Sequence, residues 1–153
     1  MKKVFICLLA AATLGFVSCN KNYAEDYEGS YLVDVISVES VGGYEESDTT
    51  TANPMNIVLD GEEGDVLIQF LNEENVVGMT LHGNADKEGL HIKGFSMTEN
   101  VEGINIEMNY GDASTQIKND KMSWTHTLTG QAVYQGMSFP VSGTLSFNAT
   151  KQK

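Results

Sequence analysis

Hydrophobic and polar residues alternate with a period of two from residue 31 to the end of the chain. No segment shows the 3.6-residue repeat of an amphipathic helix, so the pattern predicts an all-β domain. Turn residues separate the apolar runs at near-regular spacing, which is typical of a sandwich or a barrel. The pattern predicts eight strands, over residues 31–39, 54–60, 65–71, 75–82, 89–97, 103–110, 121–134 and 137–150.

The hairpins can be checked against one another, because opposite residues must share a side of the sheet. A turn over residues 61–64 predicts three apolar pairs on one side, Met55–Phe70, Ile57–Ile68 and Leu59–Val66. The next turn, over residues 72–75, adds Val77, Met79 and Leu81 to that side. Register and side therefore agree across three strands.

The dipeptide Gln135-Gly136 predicts a two-residue turn near the C-terminus. It pairs Trp124 with Phe147, His126 with Leu145, Gly130 with Val141 and Ala132 with Phe139. The odd positions of the last strand face inward, and the even positions, with Pro140, face outward.

Two regions fit the pattern less well. Inward positions change parity between Ile92 and Phe95, which predicts a β-bulge near Gly94. Residues 40–53 are polar and are expected to form a long loop. Residues 111–120 form a gap with room for a short extra strand.

Eight sequential antiparallel strands with one apolar face favour an up-and-down barrel, which closes on itself and leaves no free edge. A two-sheet sandwich is the alternative. The domain is expected to span residues 31–153, preceded by a tether over residues 19–30.

The N-terminus reads as an export signal. A basic start, Met1-Lys2-Lys3, precedes an apolar run over residues 4–17 that is too short to span a membrane. Phe16-Val17-Ser18-Cys19 resembles a bacterial lipobox, in which the cysteine receives a diacylglycerol and the preceding segment, here residues 1–18, is removed. The alternative is an ordinary secretory signal.

Cysteine usage fits acylation, since Cys7 lies in the removed segment and Cys19 has no partner for a disulfide. In the lipoprotein pattern, Asn20 is not the aspartate that retains enteric lipoproteins at the inner membrane. The expected location is therefore the outer membrane, on its periplasmic or cell-surface face, with the covalent lipid as the only added group.

The chain is acidic, with 21 Asp and Glu, 9 lysines, no arginine and a formal net charge of −12. Nucleic-acid binding needs a basic patch, and the composition excludes it. The acidity is expected to form a solvated exterior.

The meander, the polar first loop and Gly29-Ser30-Tyr31 resemble the calycin superfamily, specifically the lipocalin-like domains of small Gram-negative lipoproteins, over residues 27–150. Lipocalins carry Gly-x-Trp at this point, with an arginine near the last strand that packs over the Trp. Here Tyr31 stands for the Trp, and no arginine is present. The resemblance implies a cup-shaped barrel with residues 40–53 near its mouth.

A barrel of eight strands is filled by its own side chains or holds one small ligand. The favoured hypothesis is a non-enzymatic barrel that binds a lipophilic or amphipathic ligand in its lumen. Methionine suits adaptable pockets, and aromatic and histidine side chains supply polar contacts. The candidate lumen residues are Met55, Met79, Met108, Met122, Trp124, His126, Tyr110, Tyr134 and Phe139.

The alternative hypothesis is a filled barrel that binds a protein partner through its loops, mainly residues 40–53 and 83–89. No nucleophile motif supports an enzyme. His82 and His91 flank one loop without an evident third zinc ligand. The carboxylates of residues 60–65 could attract calcium, but their spacing does not match an EF-hand, and a solvated turn is the favoured interpretation.

Overall fold

A computed structural model describes residues 21–153 and contains one short 3₁₀ helix and ten β-strands. The signal segment and Cys19 lie outside the described residues. The helix, η1, spans Tyr23–Asp26. The strands are β1 Gly29–Val41, β2 Tyr44–Leu59, β3 Asp65–Leu71, β4 Val77–Asp86, β5 Gly89–Ile92, β6 Phe95–Val101, β7 Ile104–Tyr110, β8 Ala113–Thr115, β9 Lys121–Tyr134 and β10 Met137–Lys151. Within the described residues no helix is long and apolar enough to cross a membrane.

All ten strands belong to one antiparallel sheet, in the order β6-β7-β9-β10-β1-β2-β3-β4-β5-β8, which curls into a half-barrel. The all-β prediction is confirmed, whereas the predictions of eight strands and of a barrel that closes on itself without a free edge are wrong. The difference arises in the middle of the chain, where the predicted run 89–97 is divided into β5 and β6 and the gap over residues 111–120 contains the short strand β8.

The strand pairing is interrupted at two places: residues 93–94, between β5 and β6, and residues 111–112, between β7 and β8. Ile92 lies opposite Ala113 and Phe95 lies opposite Tyr110, so the pairing register is unchanged across the break. The predicted bulge at Gly94 is therefore corrected. The runs β5–β6 and β7–β8 are interrupted at the same level of the sheet. In each run the inward-facing positions change parity at the interruption, although neither run contains an extra residue.

The predicted loop over residues 40–53 is also corrected, because it forms a hairpin. The end of β1 pairs with the start of β2, from Val35 opposite Thr50 to Val41 opposite Tyr44. Gly42 and Gly43 both have positive φ values and make the two-residue turn. The stretch is polar because residues 42–52 are exposed on both sides of the hairpin, which removes the apolar alternation that would have identified it as strand.

Residues 83–89 are likewise mostly strand, since β4 runs to Asp86 and β5 starts at Gly89. Residues 111–120 do contain the short extra strand, β8. The predicted registers of the hairpins β2–β3 and β9–β10 are confirmed pair by pair. Val77 differs from its prediction, because a register shift after Phe70 leaves its side chain 44% exposed.

The two ends of the sheet differ. We call the end with the turns at residues 60–64, 87–88 and 116–120 the lower end, and the end with the turns at residues 42–43, 102–103 and 135–136 the upper end. At the lower end η1 packs on β4, and Ala24 and Tyr27 are buried in the core. The Thr115 hydroxyl donates a hydrogen bond to the Ser123 carbonyl (2.8 Å), which ties β8 to β9.

Buried side chains form two clusters. The main core occupies the lower half and draws on β1 to β5, β9, β10 and η1. A smaller upper cluster lies on the concave face of β7, β9 and β10, with β1 and β6 at its margin. Its buried members are Met108, Tyr110, Leu128, Ala132 and Val141.

Two glycines lie where the strands of the upper half approach most closely. A Cβ on Gly130 would meet the Glu107 carbonyl oxygen at 2.0 Å, and one on Gly143 would meet the Val38 carbonyl oxygen at 1.9 Å. Glycine within a strand commonly marks a tight bend or a close backbone approach. We infer that these glycines allow the sheet to bend between its two halves.

Candidate functional site

The nine residues predicted to line the lumen fall into three groups. Met55, Met122, Trp124 and His126 are at most 3% exposed in the main core, and Met79 packs against that core. Met108 and Tyr110 are buried in the upper cluster. Tyr134 and Phe139 are each 38% exposed at the upper end. The structure therefore does not bring them together at one site.

The main core is filled by its own side chains. Phe147 stacks on Trp124 with ring centroids 4.7 Å apart, and it also contacts Phe70 at 5.3 Å and the edge of His126 at 5.9 Å. Aromatic rings at these separations are in van der Waals contact. Trp124 and His126, which were expected to contact a ligand, contact Phe147 instead.

His126 is fully buried, and its ring is held by one hydrogen bond. Nδ1 lies 2.6 Å from the Gly111 carbonyl oxygen, so Nδ1 carries the proton and donates. Nε2 is then an acceptor, and it has no partner among the described residues. The Trp124 Nε1 donor is buried and unpaired in the same way. One donor and one acceptor are the groups that a buried water would satisfy.

A different apolar surface is open to solvent at the upper end. Five large apolar side chains of β6, β9 and β10 are 36–54% exposed there. We call this set the apolar rim: Met97, Val101, Tyr134, Met137 and Phe139. Exposed apolar patches of this kind mark binding surfaces more often than isolated exposed residues do.

Cross-strand register places the apolar rim on the same side of the sheet as the upper cluster. Met97 lies opposite Met108, and Phe139 lies opposite Ala132. Opposite residues in an antiparallel pair point to the same side. The rim and the buried cluster therefore form one continuous apolar surface, which we call the upper face.

Carboxylates accompany the upper face. Burial raises the pKa of Tyr110 above its ordinary value, and the nearby charges of Glu39 and Glu99 raise it further. Glu39 lies opposite Gly143, and Glu99 lies opposite Ile106 on the rim side of β6. Among residues 21–153 the Tyr110 hydroxyl donates a hydrogen bond to the Met108 sulfur at 3.6 Å, and a thioether is a weak acceptor.

No lysine accompanies these carboxylates. The sequence has no lysine in residues 22–86, 94–117 or 122–150. These stretches include every residue of the upper face. The lysines within residues 21–153 lie at the lower end, apart from Lys93 at the break between β5 and β6.

A cleft of about 530 Å³ is on the outer surface where β5 and β8 meet β9. His91 and Ser114, which are opposite each other, line it, and His91 Nε2 is 3.2 Å from Asp86 Oδ1. The three residues resemble a hydrolytic set, but no hydrogen bond joins Ser114 to His91 among the described contacts. The His91 and Asp86 side chains are also about half exposed, so the set lacks the enclosed nucleophile–base pair of a hydrolase.

The histidine and acidic candidates for metal binding are not assembled into a site. His91 faces Asn84 rather than His82. At residues 60–65, Asp65 accepts a hydrogen bond from the Asn84 side chain (2.8 Å). Within residues 21–153 no group of three or more potential metal ligands is found.

Sequence reasoning found part of the upper face. Met97, Met108, Met137 and Phe139 were expected to face inward, and they do lie on the concave side. Their exposure was missed, because alternation identifies the side of a sheet but not whether other strands cover it. Val101 and Glu99 share the parity of Met97, which is the signal that could have added them.

The chain has little resemblance to known proteins. No protein-family model and no curated protein matches it. Among solved structures, the ywiB protein from Bacillus subtilis matches with 10% sequence identity and a TM-score of 0.39. The match covers 83% of this chain and 94% of that chain.

Proposed function

We propose that this protein is a lipid-anchored, non-enzymatic binding protein of the outer membrane. It holds a small lipophilic or amphipathic ligand against the upper face. The observation that carries the proposal is the apolar rim, which continues the buried upper cluster into solvent. The ligand therefore binds at the open end of the curled sheet rather than within the filled lower core.

The composition of the rim suits a ligand of variable shape. Met97 and Met137 are 36% and 54% exposed, and methionine side chains are flexible and polarizable. Phe139 and Tyr134 add flat aromatic surface beside them. Burying an exposed apolar side chain contributes about 25 cal/mol per Å² of apolar area removed from water, so a ligand that covers the rim gains affinity from area alone.

The lipid anchor would orient this surface. Cys19 lies two residues before Lys21, and η1 follows at the lower end. Acyl chains on Cys19 contribute about 0.8 kcal/mol for each buried methylene. They would hold the lower end at the bilayer, so the upper face would point away from it and stay open to ligands from the surrounding fluid.

The calycin resemblance has one supporting contact. Tyr31 is buried at the start of β1, and Lys151 Nζ from the last strand lies 5.8 Å from its ring centroid. A cation from the last strand thus packs over the aromatic residue of the first strand, as the arginine does over the Trp in lipocalins. This contact supports the calycin resemblance, although lysine replaces arginine.

The proposal is tested by titrating the protein from Asn20 onward, which contains every described element, with the neutral dye Nile red. We expect saturable binding that Phe139→Ser weakens at least fivefold. The matched control is Leu32→Ser, since Leu32 is 40% exposed on another part of the sheet. Equal loss in both variants, or no saturable binding, would contradict the proposal.

A partner strand is the second candidate, because two strand edges in the upper half are unpaired within residues 21–153. β6 is the first strand of the sheet order, and β2 pairs with β3 only from Met55 to Leu59. An extended peptide can add to such an edge through main-chain hydrogen bonds. A Lys-Val alternating hexapeptide that shifts the amide resonances of β6 while Nile red fails to bind would favour this function.

A further inference from the structure

We propose that the ligand of the upper face is a cationic amphiphile, whose positive group is held by Glu39 and Glu99 while its apolar part covers the apolar rim. The inference rests on the proposed function, because it assumes that the rim binds the apolar part. It adds the chemical class of the ligand and the residues that select it.

Both carboxylates lie among the apolar residues of the upper face. On β6, Glu99 alternates with Met97 and Val101 on the rim side. On β1, Glu39 is two residues from Val41, which packs against the upper cluster. Glu39 is half-buried, so its carboxylate is not simply part of the solvated exterior.

The two carboxylates lie on the side of the sheet that holds Tyr110, although they come from different strands. Each is close enough for its charge to raise the pKa of the Tyr110 hydroxyl. Tyr110 is 7% exposed, and its ring stacks on Phe95 at 4.4 Å between centroids. A positive group placed between the carboxylates would also lie near aromatic rings, which attract cations.

No positive charge of the protein balances this pair. Neither carboxylate has a salt-bridge partner among the described residues, and the first lysines before and after Glu99 in the sequence are Lys93 and Lys118. An anionic ligand would be repelled, whereas a cationic one would complete the charge pairing. Charge complementarity therefore favours an alkylammonium-type ligand over a fatty acid.

The test compares three probes with the same ten-carbon chain, each kept below its micellar concentration: decyltrimethylammonium, decyl maltoside and decyl sulfate. Isothermal titration calorimetry is carried out on the protein from Asn20 onward. We expect the ammonium to bind tightest and the sulfate weakest. Substituting both Glu39→Gln and Glu99→Gln should weaken ammonium binding roughly tenfold, because both partly exposed ion pairs with the ammonium are lost.

The matched control is Glu107→Gln on β7, which removes the same charge from the outward side of the sheet. It should leave the affinity for all three probes unchanged, and the double variant should leave maltoside binding unchanged. Circular dichroism of each variant establishes that it is folded.

Equal affinities for the three probes, or an equal effect of Glu107→Gln and the double variant, would overturn the inference and leave the proposed function intact. Failure of all three probes to bind would overturn both. A concentration-dependent dimer in sedimentation that is lost in Phe139→Ser would make a second copy the occupant, and would also overturn the inference.

Discussion

Apolar residues alternate in the same way in the lower and upper halves of this protein, but they are buried in the lower half and partly exposed in the upper half. In the lower half the curled sheet and η1 surround the apolar side chains, which form the main core. In the upper half β3 and β4 are too short to continue around the sheet, so the same side of β6, β9 and β10 is partly exposed. The comparison teaches that strand length, as much as side-chain pattern, decides which apolar residues are core and which are surface.

The largest expected difference between the halves is in the cost of removing one aromatic ring. Phe147 is 1% exposed and contacts three other rings, so Phe147→Ala should lower the free energy of unfolding by about 3–5 kcal/mol. Phe139 is 38% exposed on the same strand, and Phe139→Ala should cost less than about 1 kcal/mol. Urea unfolding monitored by circular dichroism measures both, and similar costs would contradict a filled lower core and an open upper face.

Replacing Gly143 tests whether the close approach of β10 to β1 allows the sheet to bend between the two halves. Gly143→Ala places a Cβ against the Val38 carbonyl oxygen and should cost about 1–3 kcal/mol in unfolding free energy. Gly78 is the control position, because the nearest atom to a Cβ added there is the Phe70 carbonyl oxygen at 3.9 Å. Gly78→Ala should therefore change the free energy of unfolding by less than about 1 kcal/mol. Thermal unfolding of the two variants compares them directly, and an equal effect would argue against the bend.

Alkaline pH should lower the stability of the protein through Tyr31, which lies in the lower half. Burial raises the pKa of its hydroxyl well above the ordinary 10.0, and that hydroxyl donates a hydrogen bond to the Tyr27 carbonyl. Above pH 10 the unfolded chain releases this proton while the folded chain keeps it, so the stability present below pH 10 is lost as the pH rises. In Tyr31→Phe, urea midpoints measured from pH 8 to pH 11 should fall less steeply than in the unaltered protein, and an unchanged slope would exclude this role.

The smallest expected effect is the change in the free energy of unfolding when a residue of the apolar rim is replaced. Met137 is 54% exposed, so Met137→Ser should leave the free energy of unfolding within about 0.5 kcal/mol of the original value. The same variant should weaken Nile red binding, because the rim would lose apolar area. Loss of stability together with binding would show that Met137 belongs to the core.

Much of the sheet was predictable, because pairing and alternation are local properties. The register of the hairpin β9–β10 followed from Gln135-Gly136, whose positive φ values suit a two-residue turn. The hairpin over residues 40–53 was not predictable from alternation, since neither of its sides is buried. The joint interruption at Gly94 and Gly111 was only partly predictable, because the parity change signals a break but not whether one strand or both are affected.

The candidate site was less predictable than the fold. Inward orientation of Trp124 and Phe139 followed from the same parity argument, but Trp124 is 3% exposed and Phe139 is 38% exposed. Their exposure differs because more strands surround Trp124 than surround Phe139. That number depends on where β3 and β4 end. The proximity of Glu39 and Glu99 to Tyr110 is a property of the curl and has no local signal in the sequence.

The most direct test uses the methionine methyl groups, which sample both halves. Met55 and Met122 lie in the main core, whereas Met97 and Met137 belong to the apolar rim. Methyl resonances of ¹³C-labelled methionine would be recorded while decyl maltoside is added below its micellar concentration. The account predicts saturable shifts for Met97 and Met137 with Met55 and Met122 unchanged. Shifts at Met55 and Met122 would instead show that the lower core admits the ligand, and would contradict the account.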